Sequence, residues 1–239
     1  MKNLIIKSMK IAVCVPCRDH VSAESFQAIT MALIQGSHFW KKRFPGDETK
    51  FCLITRQRAH VHLARWEIMV EAVNTVNADY LLWIDDDAVP PADTLERLFK
   101  HDKDMVVPVF TSRTIPVYYP YSHIVDTTST GPKMRKINSE DIKEIPPCLT
   151  KIGTAGFHTL LMKRKVVDAV LVETKGRSPF TSVSASGFNE VEQKSMGEDA
   201  VFCYVAYAAG QELWLDPTFE VGHVGSYVFG SKDVPCSQK

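Results

Sequence analysis

The chain has 239 residues, 45% hydrophobic and 23% charged, and its 28 basic and 28 acidic side chains cancel to a formal net charge of zero. That length allows one large domain or two small ones around a substantial core. The charge balance points to neither a nucleic-acid footprint nor a surface built for anionic lipid, discrete patches aside.

Lys7 and Lys10 interrupt the apolar N-terminal run below signal-peptide length. No window approaches the roughly 20 apolar residues of a membrane span. The expected location is the cytoplasm, free or peripheral to a membrane. Of six cysteines, Cys14 and Cys17 form a C-x-x-C pair. A zinc site needs a second pair, and a thioredoxin-like pair should open a helix directly, whereas Arg18-Asp19-His20 intervenes. Core and loop thiols are the simpler expectation.

Lys10 to Pro16 is a short β-branched run that predicts a buried strand, and Ser22 offers a cap for a helix continuing to Gly36. Phe51 to Thr55 predicts a second strand, and Leu63 to Val76 an amphipathic helix. Ala78 to Ile84 predicts a third strand, stopped by Val89-Pro90-Pro91, with a helix over Ala92 to Lys100 and a strand around Met105 to Val109. This alternation predicts a single α/β domain with a mainly parallel central sheet flanked by helices, Rossmann-like in its logic.

Residues 111 to 147 break the rhythm with five prolines and with Tyr118, Tyr119 and Tyr121. So long a connection reads as a functional loop or subdomain. The tyrosines either form a stacking face for an acceptor or pack the loop onto the body. A strand over Phe157 to Met162, a helix over Arg164 to Val172, a helix over Glu198 to Ala209 and a strand at Glu212 to Leu215 complete the pattern. Gly210 ends the last helix. The Ser- and Gly-rich stretch 173 to 197 reads as a cover that orders over a ligand. Residues 227 to 239 read as a tail.

Asp85-Asp86-Asp87 follows the third strand at once, where ligands of parallel sheets bind. Three adjacent carboxylates there repel one another unless a cation shares the site. Strand alternation would turn Asp85 and Asp87 one way and Asp86 the other, giving an Asp-X-Asp pair for one divalent metal. A solvated acidic turn is the competing reading. Two further signals come later: Gly197-Glu198-Asp199 opening a helix, and Gly222-His223-Val224-Gly225. A helix N-terminus favours a carboxylate, so Asp199 reads as a functional acid or as a cap. His223 reads as a ligand or as a structural imidazole.

In this order the segments ADYLLWIDDD, GTAGFHTLLMKR and GEDAVFCYVAYAAGQELWLDPTFEVGHVG resemble the GT-A-type, family-2-like glycosyltransferases with a DXD motif. The resemblance covers roughly 10 to 110 and 150 to 226. It implies transfer of a sugar from a nucleotide-diphospho-sugar donor to an acceptor hydroxyl, with Mn²⁺ or Mg²⁺ neutralising the leaving diphosphate. By that pattern Asp87, Asp85 and His223 hold the metal, and an imidazole tilts the choice towards Mn²⁺. Pro16, Arg18, Asp19, Arg65, Asp85 and Asp86 face the donor nucleotide, with Arg58 competing for the role of Arg65 because Trp66 stands where the family has Asn. Asp199, ahead of Glu198, serves the acceptor and is the general base if the reaction inverts. The acceptor stays open among glycan, lipid, protein and modified nucleic-acid base. A nucleotidyltransferase on a similar sheet and an inactive nucleotide- or glycan-binding relative are the alternatives.

Overall fold

The computed structural model describes residues 9–45, 49–58, 60–112, 119–128, 131–136, 148–181 and 197–225. Along the first half run β1 (Lys10–Cys17), α1 (Ala23–Arg43), β2 (Lys50–Gln57), α2 (Val61–Glu71), β3 (Tyr80–Ile84), β4 (Ala88–Val89), α3 (Thr94–Lys100) and β5 (Met105–Val109). β6 (Tyr121–Thr128), β7 (Gly131–Lys136), β8 (Thr150–Ile152), β9 (Thr154–Ala155) and β10 (Thr159–Lys163) come next. α4 (Arg164–Glu173), α5 (Glu198–Ala208), β11 (Leu213–Glu220) and β12 (Gly222–His223) close the described chain.

The central sheet has seven strands in the order β2-β1-β3-β10-β5-β11-β8. Five of them, β2, β1, β3, β5 and β11, point one way, while β10 and β8 run against them. The sheet is therefore mainly parallel, as the alternating pattern predicts, with an antiparallel strand inserted at its middle. Entering in reverse, β10 begins where its neighbour β3 ends, with Thr159 opposite Ile84. Residues just before β10 consequently lie at the carboxyl end of β3.

Side chains of β1 alternate between two cores. Ala12 and Cys14 face a core shared with Ile68 and Met69 of α2, Val166 of α4 and Phe202 of α5. Ile11, Val13 and Val15 face Ile29 and Trp40 of α1 and Leu95 of α3. Helices thus cover both faces, which is why β1, β3 and β5 carry unbroken apolar runs.

Several element boundaries shift from the sequence reading, and two helices differ from it in kind. α1 passes through Gly36 to Arg43, because this glycine serves packing and not termination. A Cβ there would stand 2.7 Å from Leu95 Cδ2, so its absence lets α1 close on α3. The second helix ends in a π-helical turn, Ala72–Val76, with Asn77 at φ 54 beyond it.

Within 111 to 147, β6 pairs with β7 and β9 in a three-stranded sheet. Tyr119 and Tyr121 are buried. The Tyr121 hydroxyl donates to the Pro108 carbonyl (2.7 Å) and accepts from the Phe110 N–H (2.7 Å). These two rings fasten the segment to β5, which answers the stacking alternative for them. Tyr118 lies outside the described residues, as do 182–196 of the expected cover and the whole tail, 227–239. Among the described residues, no helix is long and apolar enough to cross a membrane.

Candidate active site

A cleft of about 320 Å³ opens beyond the carboxyl ends of β1, β2 and β3, lined by Pro16, Cys17, Arg18, Arg58, Val61, Arg65 and the Asp85-Asp86-Asp87 triplet. β3 stops at Ile84, so a turn, not strand alternation, aims the three carboxylates. The Ala88 N–H bonds back to the Asp85 carbonyl (3.1 Å), a tight reversal that aspartates favour.

Each carboxylate meets a different environment. Asp86 accepts from the Arg18 N–H (2.9 Å), which ties the loop after β1 to the triplet. Asp85 accepts from Arg65 Nη2 at 3.1 and 3.3 Å. Asp87 lies 3.9 Å from His223 Nε2.

His223 arrives through β12, which pairs with β4 and sets it opposite Ala88. The Val224 N–H donates to the Asp87 carbonyl (2.7 Å) and locks that register. Pro90 and Pro91 prevent the small ladder from extending.

A residue that the sequence reading left inside a strand joins this corner. His158, just before β10, accepts at its carbonyl from the Asp85 N–H (2.9 Å). Its ring centroid is 3.7 Å from that of His223, with Phe110 at 4.7 Å. One ligand atom each from Asp87, His158 and His223 lie within 4.8 Å of one another, with both imidazoles buried. The signal available in the sequence was a polar ring heading the apolar run FHTLLM. A metal would find one carboxylate oxygen and two nitrogens there, a donor set suited to a transition-metal dication.

Arg65 organises the other corner. Its guanidinium is only 4% exposed, stands 5.2 Å over the Phe157 ring, and reaches Glu198 at 3.6 Å besides Asp85. Burial disfavours its charge, but Asp85, Asp199 and Glu198 outweigh that and raise its pKa. One cation does not offset three acids. Burial pushes the Asp85 carboxyl up to about 7 against the pull of Arg65, with Asp87, Asp86 and Asp199 adding to the rise. Burial likewise raises Asp199, opposed by Arg65 and aided by Glu198.

Glu198 and Asp199 both stand in the first turn of α5, after Gly197. Asp199 Oδ1 accepts from the Ala200 N–H (2.8 Å). A Cβ on Gly156 would approach Asp199 Oδ2 to 3.2 Å and the Phe110 ring to 3.3 Å, so that glycine makes room for the carboxylate.

Arg58 and Arg65 differ in what they offer the cleft. Arg58 is half-exposed on its wall and holds Glu67 (3.0 Å), whereas Arg65 is committed to the acids. Arg18 lines the cleft, whereas Asp19 is not among its lining residues; both are largely exposed, 3.9 Å apart. Cys14 and Cys17 do not form a reactive pair. Burial raises the Cys14 thiol, and burial with Asp86 pushes Cys17 up to about 11, opposite to what an activated thiol needs.

No protein-family model and no curated protein matches the chain. Among solved structures, GalNAc-T7 with UDP, GalNAc and Mn²⁺ is similar at 11% identity, over 93% of this chain and 44% of that one, with a TM-score of 0.52. This is a glycosyltransferase-like α/β fold. The likeness extends to the fold alone, and the chain spans less than half the length of that transferase. Two weaker likenesses carry no argument. A197 from STIV has 14% identity over 90% of this chain and 85% of that one, with a TM-score of 0.45. HddC from Yersinia pseudotuberculosis complexed with GMP-PN has 10% identity over 84% and 97%, with a TM-score of 0.34.

Proposed function

We propose that the protein is a metal-dependent glycosyltransferase, moving a sugar from a nucleotide-diphospho-sugar to an acceptor hydroxyl. The observation that carries this reading is the meeting of three separate segments around the aspartate triplet. The triplet after β3 lines the cleft beyond the carboxyl ends of parallel strands, Glu198 at the start of α5 joins it through Arg65, and His223 of β12 stands beside Asp87. The glycosyltransferase-like fold supports it, and so does the structure of GalNAc-T7 with UDP, GalNAc and Mn²⁺.

Each residue has a part under this reading. Pro16 and Arg18 border the nucleotide, with Asp19 next in the chain, Arg58 offers an exposed guanidinium to the phosphates, and Asp86 holds the loop after β1 in place. Asp87 and His223 hold a divalent cation beside the diphosphate, with Asp85 as a neighbouring carboxylate. A cation there supplies charge neutralisation as the leaving diphosphate separates. Asp199 orients the acceptor hydroxyl and, in an inverting reaction, takes its proton. A carboxylate raised by burial is a better base than a solvated one.

The test is a thermal-shift screen against UDP, GDP, CMP and their sugars, with and without Mn²⁺, followed by assay of product release. A ligand at 100 times its dissociation constant adds about 2.7 kcal/mol of stability. The expected result is a shift that needs both one nucleotide and the metal and that vanishes in Asp87→Ala. Metal-dependent binding that persists in Asp87→Ala, or no binding of any nucleotide by the folded protein, overturns the reading.

A further inference from the structure

We infer that His158 is a metal ligand, so that Asp87, His158 and His223 form a one-carboxylate, two-imidazole centre that binds Mn²⁺, Co²⁺ or Zn²⁺ in preference to Mg²⁺ or Ca²⁺. This deepens the proposed function by naming the cation class and one more ligand, and it rests on that reading only for the site's purpose.

Three observations carry it. First, the geometry is convergent. Ligand atoms from three distant chain segments lie within 4.8 Å of one another, a span that one ion can bridge by small side-chain movements. Second, the two imidazoles are buried, and their ring centroids approach to 3.7 Å. Rings this close bring imidazole nitrogens of both histidines within reach of a single ion. Third, backbone fixes all three supports. β4 pairs with β12 to set His223, the Asp85 N–H holds the His158 carbonyl, and the Val224 N–H holds the Asp87 carbonyl. The Phe110 ring, 4.7 Å from His158 and 6.1 Å from His223, backs both imidazoles. Such preorganisation favours uptake of metal by the protein alone, before any nucleotide arrives.

The donor set then decides selectivity. Imidazole nitrogen suits later first-row dications, whereas Mg²⁺ and Ca²⁺ prefer sites made of oxygen. Asp85, two residues from Asp87 in the chain, is bonded to Arg65 instead. His158 therefore takes the place that a second carboxylate would hold in an all-oxygen site.

The experiment uses the full chain and Mn²⁺ as its probe, with binding followed by electron paramagnetic resonance and coupled nitrogens counted by pulsed measurements. The wild type is expected to bind Mn²⁺ without nucleotide, to show two imidazole nitrogens on the ion, and to release it poorly to excess Mg²⁺. His158→Gln should weaken Mn²⁺ at least tenfold and leave one nitrogen. Should that variant not fold, the nitrogen count in the wild type decides alone. One coupled nitrogen in the wild type, or unchanged affinity in folded His158→Gln, overturns the assignment. If Mn²⁺ then binds with UDP or GDP through Asp87, the donor reading survives without it. Two coupled nitrogens in a protein that binds no nucleotide would uphold His158 and remove the donor reading.

Discussion

Two corners of one cleft treat the same problem in different ways. At the Arg65 corner, Asp85, Glu198 and Asp199 crowd a buried guanidinium that the chain supplies itself. At the other, Asp87 stands beside two imidazoles that carry no obligatory charge. A fixed internal cation makes the first corner a permanent part of the fold. Under the assignment proposed above, the second takes its cation from outside. The difference teaches that adjacent aspartates in sequence need not share a role. The turn after β3 delivers Asp85 to one corner and Asp87 to the other.

Three changes break or sharpen this contrast. The largest expected effect is on chemistry. Asp199→Asn should lower turnover on the order of 10²–10⁴-fold if the residue is a general base, while metal-dependent donor binding in a thermal-shift assay stays as it was. Unchanged turnover would confine Asp199 to capping α5. Next comes stability at the internal cation. Arg65→Met leaves three acids without their guanidinium and should cost about 3–5 kcal/mol in chemical denaturation. Adding Asp85→Asn to that variant should recover part of the loss. Full additivity of the two changes would show that they do not interact.

The smallest effect serves as a control outside the cleft. Asp216 is 2% exposed and accepts from the Thr218 N–H (2.9 Å), the Thr218 hydroxyl (2.6 Å) and His101 Nε2 (2.7 Å). Burial alone would raise its pKa, but these hydrogen bonds prevail and lower it. Because the folded pKa lies below the ordinary carboxylate value of 3.8, its contribution is complete above about pH 4. It is lost as pH falls through the folded value. Asp216→Asn should therefore cost about 1.5–3 kcal/mol at neutral pH and flatten the acid limb of the stability profile. A variant with an unchanged acid limb would place the titration elsewhere. The contrast with Asp85 is instructive, since three donors satisfy one acid here, whereas in the cleft three acids compete for one.

The strands and helices of the first half were legible because their apolar periods are clean, and the strand end at Asp85 located the cleft. Gly36 was misread because a glycine that admits a neighbouring helix looks the same in sequence as one that ends its own. Tyr119 and Tyr121 gave no local sign of being buried against β5, since aromatic residues suit a stacking face and a packed one equally. His158 was hidden for a related reason. Its neighbours spell a buried strand, and its importance depends on a reversal of strand direction that no local period encodes.

The sequence by itself determined the α/β alternation, the acidic strand end and the three motifs, because each rests on local periodicity and on residue chemistry within a few positions. Only the tertiary structure decided which acids face which cations. Insertion of β10 against its neighbours carried His158 to the carboxyl end of β3, and the two-residue pairing of β12 with β4 carried His223 beside Asp87. Those encounters are set by strand order and register between segments far apart in the chain, and a linear pattern does not specify them.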